Sequence, residues 1–427
     1  MNLAGVLPWI HWRGMLILGL LIFGNVFCMA CPFQLPRTLA RRWRTTTRNW
    51  PRRLQSKWLA VALVVLFLWA YEAFSLWDRP LWTAWIAIGY FVGAFAIDSL
   101  FREAAFCKYV CPIGQFNFVQ SLLSPFEVRV REPAACADCR THDCLRGNER
   151  SVGCEMGLFQ PRKEGNLDCT FCLDCLHACP HDNVGILATA PGAGLWSDRV
   201  RAGIGRLSQR SDLAALVLVL VFGAFANAAG MVAPVVQWEG RLSAIIGPMW
   251  LTVGLYSLIA LVVAPAVFAG LAAVVCRWGG GLRLSVREVM CRYVYALVPI
   301  GGAMWLAHYS FHFLTSYASV VPTMQRFVRD LGGTFVGLPR WACACCLPVT
   351  DGLLKFEILA LDFGLLASLY VAWRMACADK SRRSRSFLAF LPWGLLIAML
   401  FVVGVWTIFQ PMEMRGTLPD AMRGAQP

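Results

Sequence analysis

Residues 213–236 read LAALVLVLVFGAFANAAGMVAPVV, an apolar stretch without one charged side chain. About 20 such residues in a helix cross the hydrocarbon core of a bilayer. Comparable runs lie at 14–31, 58–77, 81–101, 248–274, 292–314, 352–374 and 387–409. The fold class is therefore mainly α: a polytopic membrane helical bundle of about eight transmembrane helices. Pro265 inside the fifth run predicts a tilt or kink there. Composition agrees, at 58% hydrophobic and 15% charged, which is too little charge for an ordinary soluble domain. No small-x-small site follows the first run, so no cleavable signal peptide is expected.

The formal net charge is +14. In a soluble chain that would suggest nucleic acid, but no recognition motif is present and the basic residues sit between the apolar runs. Residues 37–57 hold Arg37, Arg41, Arg42, Arg44, Arg48, Arg52, Arg53 and Lys57 with no acid among them. The positive-inside rule makes that segment cytoplasmic. Alternation then puts 102–211, 275–291 and 375–386 inside, and 315–351 and both termini outside. Segment 102–211 is the only soluble-like stretch of domain size, and it is rich in Cys, Gly and Pro. A segment of that kind cannot bury enough apolar surface to fold alone, and metal clusters would supply the missing stabilisation.

There are 18 cysteines, most in short clustered spacings beside basic segments, a pattern of reduced thiolate ligands rather than disulfides. Cys169, Cys172, Cys175 and Cys179-Pro180 form C-x2-C-x2-C-x3-C-P. Three thiolates at two-residue gaps wrap one corner of a [4Fe–4S] cubane, while the fourth points to a second cluster. Structural zinc prefers two separated pairs and has no use for this layout. Upstream, Cys136, Cys139, Cys144 and Cys154 repeat the run in stretched form. Crossing the fourth ligands assigns Cys136, Cys139, Cys144 and Cys179 to one cluster, and Cys169, Cys172, Cys175 and Cys154 to the other. The segment thus reads as a small cytoplasmic ferredoxin-like insert with two [4Fe–4S] clusters. A histidine in such a loop is more often a neighbour than a ligand, which leaves His142, His177 and His181 off the ligand list.

Two further motifs close apolar runs: Cys28-x2-Cys31-Pro32 and Cys107-x3-Cys111-Pro112. Both fall at the cytoplasmic face. Either the four thiols converge on a metal or redox-active pairs, or each Cys-Pro only ends a helix beside a buried thiol. Helix-end Cys-Pro motifs joined to a ferredoxin pair resemble the membrane polyferredoxins of the NapH, NosR and CcoG group, over roughly residues 14–185. Cys107–Pro112 has the group's C-x3-C-P form, whereas Cys28 and Cys31 are one residue closer. The resemblance implies electron transfer between the quinone pool or a cytoplasmic donor and a respiratory or assembly partner, in a bacterial inner membrane. It also implies two clusters close enough for fast exchange.

The regions expected are 1–127 (three spans with the Cys-Pro motifs), 128–190 (the cluster insert), 191–212 (a linker) and 213–427 (five spans). In the last, His308 and His312 share a helix face about 25 Å from its inner end. They approach the outer side, where Cys343, Cys345 and Cys346 also fall. Copper or zinc, a b-type haem on the histidine pair, and a disulfide with structural histidines are the competing readings. Glu72, Asp98, Glu357 and Asp362 lie within expected spans, Asp362 near the middle of one. Cys276, Cys291 and Cys377 stand alone and are read as inert. Beside electron transfer stand two alternatives, copper or other metal reduction for assembly of a respiratory enzyme, and redox or iron sensing. Reporter fusions test the topology: activity specific to the cytoplasm is expected at 102–211 and activity specific to the outside at 315–351, and the reverse pattern would overturn the orientation.

Overall fold

In hydrocarbon no water satisfies a backbone N–H or C=O, so an apolar chain crosses a bilayer as helices that close their own hydrogen bonds. The computed structural model describes residues 2–43, 48–339, 341, 351–378 and 383–412. Its main helices are α1 Leu3–Phe23, α2 Trp58–Ala73, α3 Pro80–Leu100, α4 Ser211–Ala229, α5 Met249–Gly280, α6 Val286–Asp330, α7 Asp351–Ala378 and α8 Arg385–Ile408. Seven are long and apolar enough to cross a membrane, and α2, at 16 residues, is the shorter one. The chain is a multi-pass membrane protein.

Several boundaries differ from the hydropathy reading, each for a local reason. Helix α1 starts at Leu3 rather than near residue 14 and stops at Phe23, because Gly24 takes φ +78°. Cys28 therefore lies in a separate turn, Val26–Met29, and not on the first helix. Helix α4 ends at Ala229, and Pro234 opens a new helix, Ala233–Ile246. In α5 the irregularity expected at Pro265 is a π-helical turn over Ile259–Val263 just before it. Helix α6 runs on to Asp330 through a short 3-10 turn at Tyr317–Ser319. The first part of the expected outer loop is thus helical.

Helices α4 and α6 are buried nearly all round and form the centre of the bundle. Small residues let the backbones close up: a side chain at Gly301 would strike Val221 of α4, and one at Gly364 of α7 would strike Ala303 of α6. The Trp305 indole N–H donates to the Leu220 carbonyl at 2.9 Å, tying α6 to α4. Helix α5 packs on α8, and α7 on both α6 and α8.

The cysteine-rich segment is bracketed by two strands, β1 Phe126–Val130 and β2 Val184–Ala188, paired antiparallel with Phe126 opposite Ala188 and Val130 opposite Val184. Between them the elements are short helical turns such as Asp143–Arg146 and Asp174–His177. Val128, Leu158, Leu167, Phe171 and Val184 continue the same core as Phe118, Ile17 and Trp305, so the segment sits on the bundle without a break in packing. Trp196 meets Tyr370 of α7 edge-on at 5.8 Å.

The join is electrostatic as well. Lys57, just before α2, is buried with its ammonium 2.6 Å from the Asp168 carboxylate and also bonded to the Lys108 carbonyl. Its backbone N–H donates to Asp212 at 2.7 Å, and Asp212 is held bidentately by Arg210 at 2.7 and 2.8 Å. One lysine thus ties together the start of α2, the Cys107–Cys111 segment, the residue before Cys169 and the start of α4. Burial pulls the Lys57 ammonium down, and Asp168 opposes it. Removing one partner strands the other charge, at a cost of about 3–5 kcal/mol. Lys57→Met is therefore expected to lower the melting temperature of the detergent-solubilised protein sharply, and adding Asp168→Leu is expected to recover much of it. Equal loss in the single and double variants would refute this account.

Candidate metal centres

The eight loop cysteines fall into two groups in space. Cys136 lies in the turn Pro133–Ala137 and Cys144 in Asp143–Arg146, with Cys139 between them and Cys179 just past Asp174–His177. Cys139 and Cys179 lie close enough to Cys136 and Cys144 to disfavour a negative charge on either sulfur. The same four line a small cavity with His142, His181 and Asn183. In the second group Cys169, Cys154 and Cys172 all act on Cys175, and Cys169 acts on Cys154.

Donors to sulfur surround both groups. The Asn183 side-chain N–H reaches Cys136 Sγ at 3.3 Å, its backbone N–H reaches Cys179 Sγ at 3.4 Å, and the Leu158 N–H reaches Cys154 Sγ at 3.4 Å. Asn183 also fixes the segment's entry, donating to the Glu132 carbonyl at 2.7 Å. Asn166 performs the same service ahead of Cys169, donating to the Ser121 and Phe126 carbonyls at 2.9 and 2.8 Å. Five residues other than glycine in this segment take positive φ: His142, Asp168, Phe171, Leu173 and Asp182. Such turns reverse the chain sharply between the cysteines.

Burial pushes the unligated thiols up, Cys144 to about 11 and Cys172 to about 12, and Cys175 well above the ordinary thiol value. A cluster must therefore displace protons to bind. The donor set, all sulfur with N–H groups aimed at it, fits a thiolate-ligated cluster. Among the described residues, no three His, Cys, Asp or Glu side chains form a group that would hold one metal ion. Four thiolates on a cubane stand wider apart than four around one zinc ion, so this concerns a different geometry.

The helix-end motifs also come together. Cys107, in the π-helical turn Phe106–Val110, and Cys31 act on Cys28, and all three act on Cys111. Cys111 caps the buried helix Pro112–Gln120, its Sγ accepting from the Gly114 N–H at 3.2 Å. Asn117 of that helix donates to Cys28 Sγ at 3.3 Å. Asn25 links this group to the second loop group: its side chain donates to the Cys169 carbonyl at 2.9 Å and accepts from the Cys28 N–H at 3.4 Å.

His308 and His312 face each other along α6 with ring centroids 4.8 Å apart. Side by side on one helix face, they cannot take the two opposite axial positions of one haem iron. Cys343, Cys345 and Cys346 lie outside the described residues. Glu72 and Glu357 are buried, Asp362 of α7 is half-buried, and the buried Asp98 carboxylate accepts from the Phe106 N–H at 3.1 Å. Cys276 and Cys291 are buried and Cys377 is exposed. Sequence reasoning passed over Lys57, Asn25, Asn117, Asn166 and Asn183, because an amide or amine carries no spacing signature. It also passed over Arg13, since a first span begun at residue 14 leaves that arginine outside the membrane.

No protein-family model and no solved structure matches the chain. Curated relatives match parts of it. One is YccM of Escherichia coli (strain K12), a protein named for electron transport, 38% identical over 84 residues, which are 20% of this chain and 22% of YccM. Another is the regulatory protein NosR of Pseudomonas aeruginosa, 29% identical over 180 residues, which are 36% of this chain and 24% of NosR. The chain spans less than a quarter of the length of either relative.

Proposed function

We propose that the chain is a membrane-integral iron–sulfur electron-transfer protein of the bacterial inner membrane. Its two [4Fe–4S] clusters sit in a ferredoxin-like insert on the cytoplasmic side. Cys136, Cys139, Cys144 and Cys179 hold one cluster, and Cys154, Cys169, Cys172 and Cys175 hold the other. The observation that carries this reading is the small cavity that Cys179, from the downstream run, lines together with Cys136, Cys139 and Cys144 of the upstream run. Zinc sites built from local pairs have no reason to exchange ligands in this way. The naming of YccM for electron transport points the same way. When bound, such clusters take up and release single electrons.

The protein's own part is to wrap the thiols, aim N–H donors at sulfur and keep water out, which together set a cluster's potential. The electrons pass between the quinone pool or a cytoplasmic donor and a respiratory partner. Of the four helix-end thiols, Cys28 is joined to the insert through Asn25, which also bonds the Cys169 carbonyl, and to the bundle through Asn117.

Protein purified without air is expected to contain about eight irons and eight sulfides per chain and to show a spin-coupled EPR signal on reduction. Cys179→Ser should lose the same cluster as Cys136→Ser, and Cys154→Ser the same one as Cys169→Ser, each leaving the other cluster uncoupled. Stoichiometric zinc with no iron would overturn the proposal, and Cys179→Ser behaving like Cys169→Ser would overturn the crossed assignment.

A further inference from the structure

A second polar cluster lies inside the membrane and takes no part in the cysteine centres. Arg13 falls well inside α1, directly after a π-helical turn over Leu7–Trp12. Turns of that kind are frequent at functional sites. Its guanidinium donates to the Tyr71 hydroxyl at 3.0 Å and lies 4.6 Å from the Trp9 ring centre and 5.3 Å from that of Tyr309. Gly14 permits this approach, because any side chain there would strike Phe313 of α6. Next to Tyr309 stands His308, 5% exposed, whose Nε2 has no hydrogen-bond partner among the described residues. The His312 ring adjoins it, and Glu72 accepts from Asn227 at 2.5 Å close by.

Ionisable groups at this depth are costly and mark function by default. The chemistry narrows the ligand. The Arg13 guanidinium offsets the Glu72 carboxylate, so the cluster carries no net negative charge to hold a metal cation. Guanidinium, phenol and imidazole N–H or O–H groups offer donors to oxygen, and flat aromatic faces offer stacking. A membrane-soluble ligand that satisfies these groups is apolar, ring-shaped and carries carbonyl oxygens. We propose that Arg13, His308, His312 and Tyr309 form a binding site for the head group of a membrane quinone.

The choice of ligand rests on the electron-transfer reading above and gives that reading a site. Packed contacts join the two regions. Asn117 bonds Cys28, and its neighbour Phe116 meets Trp305 at 5.3 Å and Tyr309 at 6.5 Å. The polar cluster is thus one aromatic layer from the helix-end thiols.

The test is equilibrium binding of a short-tailed benzoquinone to the purified, cluster-loaded protein, with the matching hydrocarbon lacking carbonyls as control. Saturable binding is expected for the quinone alone. His308→Leu and Arg13→Leu should each weaken it about tenfold or more, and His308→Gln, which keeps a donor, should weaken it less. His308→Gln also guards against misfolding of the arginine variant. Binding unchanged in His308→Leu, or no saturable binding to iron-loaded protein, overturns this site while leaving the clusters standing. Saturable, His308-dependent binding to protein that never contains iron supports the site and sinks the electron-transfer reading instead.

Discussion

The buried pair of Lys57 and Asp168 holds the two halves of this protein in one arrangement. An ammonium and a carboxylate taken out of water are tolerated only when each finds the other and the remaining lone pairs are used. Here the Lys57 ammonium meets Asp168 and also donates to the Lys108 carbonyl. Asp168 immediately precedes the first thiol of the Cys169 run, and Lys108 sits next to Cys107. The position of a membrane helix end, of a helix-end thiol and of a loop thiol are therefore coupled through one side chain. Lys108 extends the linkage, donating to the Met156 carbonyl at 2.6 Å near Cys154.

Around this pair the protein solves a problem of solvation. Thiols in a dry environment favour the neutral form, so any negative charge on these sulfurs needs polar partners. The amides of Asn183, Asn117 and the backbone at Leu158 are placed on sulfur for that purpose. None of them alone makes a site. Together they provide the second layer that orients ligands and tunes what the ligands bind.

Much of this was legible in the chain. Apolar runs marked the bundle because hydrocarbon forbids unsatisfied backbone, and the clustered cysteines, glycines and charges of 102–211 marked the segment that carries the candidate site. Boundaries were less legible. Trp9, His11 and Arg13 look like an aqueous flank, yet tertiary partners such as Tyr71 and Tyr309 draw them into the helix. The extension of α6 past Ser316 escaped a hydropathy reading, since Val320–Asp330 alternates apolar and polar residues around the helix rather than along it. Asn183 and Lys57 were invisible because their roles depend on neighbours distant in the chain.

The pairing of β1 with β2 has a consequence for variation in length. Val130 and Val184 are directly opposite each other, so the chain leaves the bundle and returns to it at one place. Everything between those residues hangs from a closed neck. Residues can be added at its exposed turns, Arg140–Thr141 and Asn148–Arg150, without moving the ends, which stay pinned whatever the contour between them. Those turns fall in the wide gaps before Cys144 and Cys154. The stretch around Asp168 and Phe171 has no such freedom, because it is ion-paired and packed against the bundle.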